Sequence, residues 1–366
     1  TLRMDMMMSS HDSTADTERF GKRKQRNPSG QNSRISRMRS IVSVRDLTLL
    51  AAWILLVLTF SQLSPHFWSL ANARNIGQAV AVIGITAVGA TLVLVSGGID
   101  LTVGSVIGFS GVLVGALLTG KLQLGHITSL TGDELAGQMA IPLAVALVLL
   151  AGAALGAFNA TLIVNGRINP LIATLGMMSV IRGFAYVYSD GVSHGIVSES
   201  FEFLGRGRLV FGIPVPIVTM LLIYGLVWFV MRYTNLGNYV YAIGDNPQAS
   251  RLAGVNVKLW RYVVYILGGI FASLAGLISA SMMGAALPRA GMGYELNVIA
   301  AVILGGASLK GGIGNVVGTL LGVLIMGTLS NGFTLLNIPA FYQMIAQGLV
   351  LILAVFIDQV RTGGYE

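Results

Sequence analysis

Residues 239–260 have the sequence YVYAIGDNPQASRLAGVNVKLW and form a polar segment between two long apolar runs. The first run ends near Met231, and the second begins after Arg261. Asn is a favoured N-cap residue and Pro is favoured in the first helical turn, so Asn246-Pro247 is typical of a helix start. The segment predicts a short amphipathic helix at the surface of a membrane protein, where a soluble motor protein would contact it. An ordinary solvated loop is the alternative interpretation.

The composition excludes an ordinary water-soluble domain. Hydrophobic residues make up 54% of the 366 residues, charged residues 10%, and the mean hydropathy is +0.76. Soluble domains have a charged share of about 25%. The chain has no cysteine, which excludes disulfides, thiolate metal sites and cysteine nucleophiles. Its four histidines lie far apart, so we expect no zinc site. No histidine lies in the interior of a likely span and Asp100 has no Asp partner within the spans, so we expect no catalytic residues. We also expect that this chain itself binds no cofactor.

The first 45 residues have a different character. They hold ten Lys or Arg and four Asp or Glu, and they lack an apolar run of signal-peptide length. We expect residues 1–45 to be a disordered cytoplasmic tail that is attracted to anionic lipid. A nucleic-acid-binding arm is the alternative, and it is not favoured. Residues 46–358 are expected to form the transmembrane domain, with residues 359–366 as a short cytoplasmic C-terminus.

Ten apolar segments predict an all-α, polytopic membrane protein, since a bilayer-spanning helix needs about 20 residues. The segment 294–305 is too short to cross alone and predicts a half-helix or a re-entrant segment. The ten segments lie near residues 47–63, 77–96, 101–119, 141–163, 171–188, 214–231, 261–283, 294–305, 313–335 and 339–357.

The distribution of positive charge predicts the orientation of these segments. With ten spans, 17 Lys and Arg fall on the side of the basic tail and 5 on the other side. Because cytoplasmic loops carry an excess of Lys and Arg, both termini and the loop 232–260 are predicted to be cytoplasmic.

Two glycine clusters interrupt the apolar segments. Residues 97–104 and 305–312 both fit the pattern GGxxLxxG after an apolar run, which suggests an internal duplication. Interrupted helices at corresponding places are typical of a transport pathway. Neither cluster is a phosphate-binding loop, because Lys310 is followed by Gly311 and the GxxxxGK[ST] pattern is absent.

Ionisable residues within the apolar segments are costly and face protein or water. Asp100 and Glu295 are each expected to cap the helix that follows, and Arg182 to pair with a neighbour, contact substrate or extend towards the interface. An ion-coupled secondary transporter would instead use Asp100 or Glu295 as its proton or sodium site. Neutral polar side chains suit an uncharged, hydroxylated ligand; they include Asn159, Asn169 and Thr174.

Four segments resemble the membrane permease subunits of bacterial ribose/xylose/galactoside-type ABC importers, and the resemblance extends over residues 47–357. The segments are GGIDLTVGS (97–105), GAFNATLIVNGRINPLIATLGMM (156–178), NYVYAIGDNPQASRLAGVNV (238–257) and ELNVIAAVILGGASLKGGIGNVVGTLLGVLIMG (295–327).

The resemblance implies a non-enzymatic subunit in the bacterial inner membrane that imports a monosaccharide, either a pentose or a hexose. It implies a second permease copy, usually in a homodimer, with a heterodimer of two similar permeases as the alternative. It also implies a separate ATP-binding subunit that holds ATP and Mg, and an extracytoplasmic sugar-binding protein. Nucleoside and branched-chain amino-acid importers share the architecture and remain alternatives.

The resemblance assigns one group of residues to the contact with the ATPase, and the glycine breaks and polar residues of the spans predict a second group. The predicted contact with the ATPase comprises Gly244, Asp245, Asn246, Pro247, Ala249, Arg251, Leu252 and Gly254. The predicted substrate pathway or hinge comprises Gly97, Gly98, Asp100, Asn159, Asn169, Thr174, Glu295, Gly305 and Gly306.

Overall fold

A computed structural model describes residues 44–119, 141–196 and 198–362 of the chain, and these are helical almost throughout. The helices are α1 (Val44–Leu63), α2 (Leu70–Val95), α3 (Val103–Thr119), α4 (Ile141–Val164), α5 (Pro170–Ser189), α6 (Glu199–Arg206), α7 (Val215–Tyr233), α8 (Asn235–Asp245), α9 (Pro247–Leu252), α10 (Val257–Met283), α11 (Tyr294–Leu304), α12 (Val316–Leu335) and α13 (Ala340–Thr362). Between them lie a 3-10 turn (Val210–Gly212) and two short strands, β1 (His194–Gly195) and β2 (Ala285–Ala286), which pair antiparallel.

The predicted fold class is confirmed. Eight of the described helices are long and apolar enough to cross a bilayer, and α3 and α11 are shorter apolar helices. All ten predicted segments correspond to these ten helices. With 11 residues, α11 is only about 17 Å long, which is well short of a hydrocarbon core of about 30 Å. This confirms the prediction that residues 294–305 cannot cross the bilayer alone.

The predicted domain boundaries fall inside helices. α1 begins at Val44, before the predicted end of the tail, and α13 continues to Thr362, beyond the predicted end of the transmembrane domain. The predicted tail over residues 1–43 and the last four residues lie outside the described residues.

Helices α2 and α10 form the centre of the bundle. α10 contacts α2, α3 and α4, and every residue of α2 from Val80 to Val95 is buried. Glycines allow α10 and α4 to approach closely: a Cβ atom on Gly152 would overlap Ser273, and one on Gly156 would overlap the backbone of Tyr265. Small residues therefore set the packing distance here, as is usual where lipid provides little hydrophobic force between helices.

Asparagine begins several helices through the same interaction. Asn169, Asn256 and Asn315 are the N-cap residues of α5, α10 and α12, and each side chain accepts a hydrogen bond from a backbone amide in the first helical turn. Each cap satisfies an amide that has no partner within its helix. One of these residues, Asn169, was predicted to line the pathway, and in the structure its carbonyl oxygen Oδ1 accepts from the amide of Leu171 at 2.9 Å.

Candidate coupling site

The polar segment that was predicted to contain one short helix contains two, α8 and α9. Asn246 separates them, because its backbone is extended (φ −151°) while its side chain accepts from the amides of Gln248 and Ala249 at 3.0 and 2.9 Å. Pro247 then occupies the first position of α9, as the sequence predicted.

The two helices have different surroundings. α8 buries Val240, Ile243 and Gly244, and its Tyr241 hydroxyl donates to the carbonyl of Gly314 at 2.9 Å. α9 buries only Ser250 among its own residues. α8 therefore anchors the segment to the helix bundle, while α9 is exposed at the surface of the bundle.

The exposed surface includes most of the predicted contact with the ATPase. The Leu252 side chain is 91% exposed, so a large apolar group stands out from a polar surface. Arg251 and Gly254 flank it and are exposed as well, and Gly254 ends α9 with a left-handed backbone (φ 85°). Asp245, Asn246 and Ala249 are also exposed. The end of the bundle that carries this surface is called the α9 end below.

Glycines from three distant segments meet beneath α8. The amide of Gly312 donates to the carbonyl of Val95 at 2.8 Å. A Cβ atom on Gly244 would overlap that carbonyl and lie 2.5 Å from the Gly312 nitrogen, and one on Gly311 would lie 2.7 Å from the Gly97 Cα. We call Gly97, Gly244, Gly311 and Gly312 the glycine junction. Through it, α8 contacts both glycine clusters by backbone atoms alone.

Each of the two glycine clusters ends a helix in the same way. Gly97 and Gly306 have left-handed backbones, with φ of 81° and 107°. Each donates its amide to the carbonyl three residues earlier, and the next residue donates to the carbonyl five residues earlier. This is the Schellman motif, in which glycine is favoured because it has no Cβ atom. The matching ends of α2 and α11 support the duplication that the sequence suggested.

Charged residues from α1 and α13 hold the segment 305–315, and sequence reasoning missed them. Arg45 donates three hydrogen bonds of 3.1–3.2 Å to carbonyls at the C-terminal end of α11. Asp46 accepts from the side-chain amide of Asn315, and Asp358 accepts from the Ser308 hydroxyl. The only sequence signal is that all three charges lie near the ends of apolar segments.

The predicted pathway residues Asp100 and Asn159 share one partner. The Asp100 carboxylate accepts from both the amide and the hydroxyl of Thr102, at 2.9 and 2.6 Å. The Asn159 side chain donates to that hydroxyl at 3.1 Å. Because Thr102 precedes α3, Asp100 orders the approach to this helix and does not cap a helical amide, which differs from the prediction.

Glu295 of α11 and Arg182 of α5 lie against a second part of α3, at Gly104 and Gly108. One carboxylate oxygen of Glu295 accepts from the amide of Gly293, just before α11, and the other is buried against Gly104 with no partner among the described residues. Arg182 donates to the carbonyls of Pro288 and Ala290 at 2.7 and 2.8 Å. Both side chains therefore organise the connection between α10 and α11.

The structure thus brings the predicted residues together only in part. The coupling residues form one continuous segment at the α9 end, in direct contact with the glycine junction. The remaining pathway residue, Thr174, is fully buried on α5 and donates to the carbonyl of Pro170. No group of three or more His, Cys, Asp or Glu with metal-binding geometry occurs among the described residues.

The chain has ten apolar helices, and two of them, α2 and α11, end in glycine clusters that contact the polar segment of α8 and α9. This arrangement defines a multi-pass membrane permease. The chain belongs to the family described as the branched-chain amino acid transport system / permease component, which matches residues 72–355.

Its relatives include the ribose import permease protein RbsC of Escherichia coli (strain K12), which is 42% identical over 313 residues, covering 84% of this chain and 92% of the relative. RbsC of Bacillus subtilis (strain 168) is 40% identical over 310 residues, covering 84% and 91%. The L-arabinose transport system permease protein AraH of Escherichia coli (strain K12) is 38% identical over 302 residues, covering 81% and 85%. No solved structure is significantly similar to the chain.

Proposed function

We propose that this chain is the membrane permease subunit of an ATP-driven importer that moves a monosaccharide across the bacterial inner membrane. The relatives named for ribose and arabinose support a pentose as the substrate. The chain provides the path and no catalysis, so ATP and Mg belong to a separate ATPase subunit.

One observation supports this proposal above the others: α9 is exposed on one face while α8, directly before it, contacts both glycine clusters. An ATPase that binds Arg251 and Leu252 would displace α8 together with the backbone of Gly97 and Gly312. A secondary transporter, which no soluble motor drives, has no use for such an element.

The described charges support a cytoplasmic position for the α9 end and for both termini, since Lys and Arg are enriched on the cytoplasmic side. At the α9 end lie Arg45, Arg167, Arg232, Arg251, Lys258, Arg261 and Lys310, whereas Arg74, Arg206, Arg208 and Arg289 lie towards the opposite end. The opposite end would then receive an extracytoplasmic sugar-binding protein.

We further propose that two copies of the chain form a homodimer with the path between them. α5 supports this arrangement, because its Ile172, Phe184 and Val187 are at least half exposed within the single chain. A second copy, or lipid, would cover this face.

The decisive test is uptake into proteoliposomes that contain this chain, its ATPase subunit and its binding protein. We expect ATP-dependent uptake of one radiolabelled sugar from a panel of pentoses and hexoses, and no uptake when the ATPase is omitted. Uptake that ignores ATP and follows a proton or sodium gradient would overturn the proposal and implicate Asp100 or Glu295. ATP-dependent uptake of a branched-chain amino acid or a nucleoside would overturn the sugar assignment alone.

The coupling surface has its own test. Asp245→Ala and Arg251→Ala should leave the amount of protein in the membrane unchanged while reducing the sugar transported per ATP hydrolysed. Transport at the wild-type ratio by both variants would remove these residues from the coupling site.

A further inference from the structure

A cleft of about 1080 Å³ lies at the α9 end, beside the coupling surface. The end of α4, the beginning of α5, α9 and the first turn of α10 form its walls. Its size is that of a site for a small organic molecule, for which volumes of about 300–1,000 Å³ are usual.

Four cations line this cleft: Arg167, Arg251, Lys258 and Arg261. Among the described residues that line it, none is acidic. The orientation rule explains why cations lie at this end. It does not explain why four of them line one concave surface without a carboxylate. Their summed charge makes the electrostatic potential in the cleft strongly positive. We call this site the basic cleft.

Among the described residues, none of these four side chains has a hydrogen-bond or ion-pair partner. Arg167, Arg251 and Lys258 are exposed, and Arg261 is half-buried. Four guanidinium or ammonium groups therefore have their donors available to a ligand in the cleft.

The backbone adds to this positive potential. The 20-residue helix α5 begins at the cleft, and a helix N-terminus favours anions. Arg167 adopts a left-handed backbone (φ 56°), which is unfavourable for a residue other than glycine. Such conformations are concentrated at ligand sites. Here the conformation places a cation in the short turn between α4 and α5.

We propose that the basic cleft binds the phosphate group of a phosphate ester. Arginine binds phosphate through two parallel hydrogen bonds, and lysine adds a point charge. A carboxylate has one charge and two oxygens and leaves most of these cations without a partner, whereas a phosphate ester has more charge and more acceptor oxygens. The amides of Asn165 and Asn169, which also line the cleft, suit hydroxyl groups on the rest of the ligand.

The same chemistry has two sources, a soluble sugar phosphate and the headgroup of an anionic phospholipid. Either ligand would link Arg251 of α9 to Arg167 between α4 and α5. A ligand that links these elements stabilises their present arrangement against any other, and so opposes movement of α9.

Binding is tested on the full-length chain in nanodiscs, without the ATPase or any transport. Calorimetric titration with a pentose phosphate and with inorganic phosphate tests the soluble source. Native mass spectrometry after reconstitution in phosphatidylcholine with and without phosphatidylglycerol tests the lipid source. The first cleft variant is Lys258→Gln/Arg261→Gln. The second cleft variant is Arg167→Gln, which changes an exposed residue. The control, Arg208→Gln/Arg289→Gln, removes the same charge from the opposite end.

We expect binding of one probe that weakens about tenfold or more in each cleft variant and is unchanged in the control, because hydrogen bonds to charged groups are lost. Selective loss of pentose phosphate binding identifies a soluble ligand, and selective loss of retained phosphatidylglycerol identifies a lipid. No binding of any probe, or equal weakening in the control, overturns the proposal. A separate pull-down with the ATPase subunit adds one outcome. If the cleft variants fail to capture the ATPase and the native chain binds no phosphate, the cleft is a protein-docking surface and the proposal is overturned. Since no transport is measured, this result is independent of the importer proposal.

Discussion

Gly244→Ala tests the glycine junction most directly. The new Cβ atom would overlap the carbonyl of Val95 and lie 2.5 Å from the nitrogen of Gly312, whereas ordinary contacts begin at 3.4 Å. Both contacted atoms belong to the backbone, so rotation of a side chain cannot relieve the overlap. α8 must therefore move by about 1 Å, a displacement that is large for a positioned functional group.

Three contributions set the expected size of the effect. Overpacking costs about 1–3 kcal/mol. The methyl group also displaces the hydrogen bond between Gly312 and Val95, and an unsatisfied buried amide costs about 1–3 kcal/mol more. The higher helix propensity of alanine offsets about 1 kcal/mol of this. The net loss of about 1–5 kcal/mol corresponds to a fall in Tm of roughly 2–8 °C for a chain of this size.

The assay compares Tm and uptake per ATP hydrolysed with those of a matched control. Gly225 lies within α7, and a Cβ atom there has nothing within 4 Å. Gly225→Ala should therefore leave both quantities unchanged or raise Tm slightly, whereas Gly244→Ala should lower both. If the two variants behave alike, α8 does not contact the two glycine clusters through backbone atoms, and the coupling route through the junction is refuted.

Three further substitutions test other contacts. Leu252→Ala should weaken binding of the ATPase subunit about tenfold or more, because burying a leucine contributes about 1.5–3 kcal/mol; Leu222→Ala, which truncates another exposed leucine, should bind normally in the same pull-down titration. Arg45→Gln should lower Tm by several degrees through the loss of three hydrogen bonds. An equal Tm for variant and native protein would show that these hydrogen bonds between Arg45 and the end of α11 do not stabilise the fold. Ser281→Ala should destabilise the protein by about 2 kcal/mol or more, since this buried hydroxyl accepts from the Gly205 amide and donates to the Phe201 carbonyl. Ser279→Ala on the same helix is its control, and an equal effect of the two would contradict this assignment.

Local features of the fold could be predicted from the sequence. Asn246-Pro247 predicted a helix start, the GGxxLxxG patterns predicted two helix ends, and the length of the eighth apolar segment predicted a half-helix. Each prediction depends on residues within one or two turns of each other. Backbone geometry and helix length decide such features, and tertiary contacts change them little.

The contacts between these features could not be predicted. The sequence placed Gly97 and Gly311 in two separate glycine clusters and Gly244 in the predicted contact with the ATPase, and nothing in their spacing indicates that they meet. The same holds for Arg45, whose charge suggested part of a basic tail until its hydrogen bonds with α11 were visible. A charge near the end of a span has the same pattern whether it faces water or binds backbone carbonyls of another helix.

The junction changes what the glycine clusters can do in transport. A hinge needs free space around its backbone, but Gly97 and Gly312 are packed against α8, and Arg45 and Asp358 hold the second cluster from two further helices. A force on α9 would therefore move the ends of α2 and α11 together with α8, as one body. Bending must then occur where the backbone belongs to no helix. Residues 99–102, between the junction and α3, belong to no helix. Asn159 of α4 donates one hydrogen bond to the Thr102 hydroxyl, and Tyr265 of α10 donates one to the Ile99 carbonyl. We therefore expect the glycine clusters to transmit the movement and the Asp100 segment to permit it.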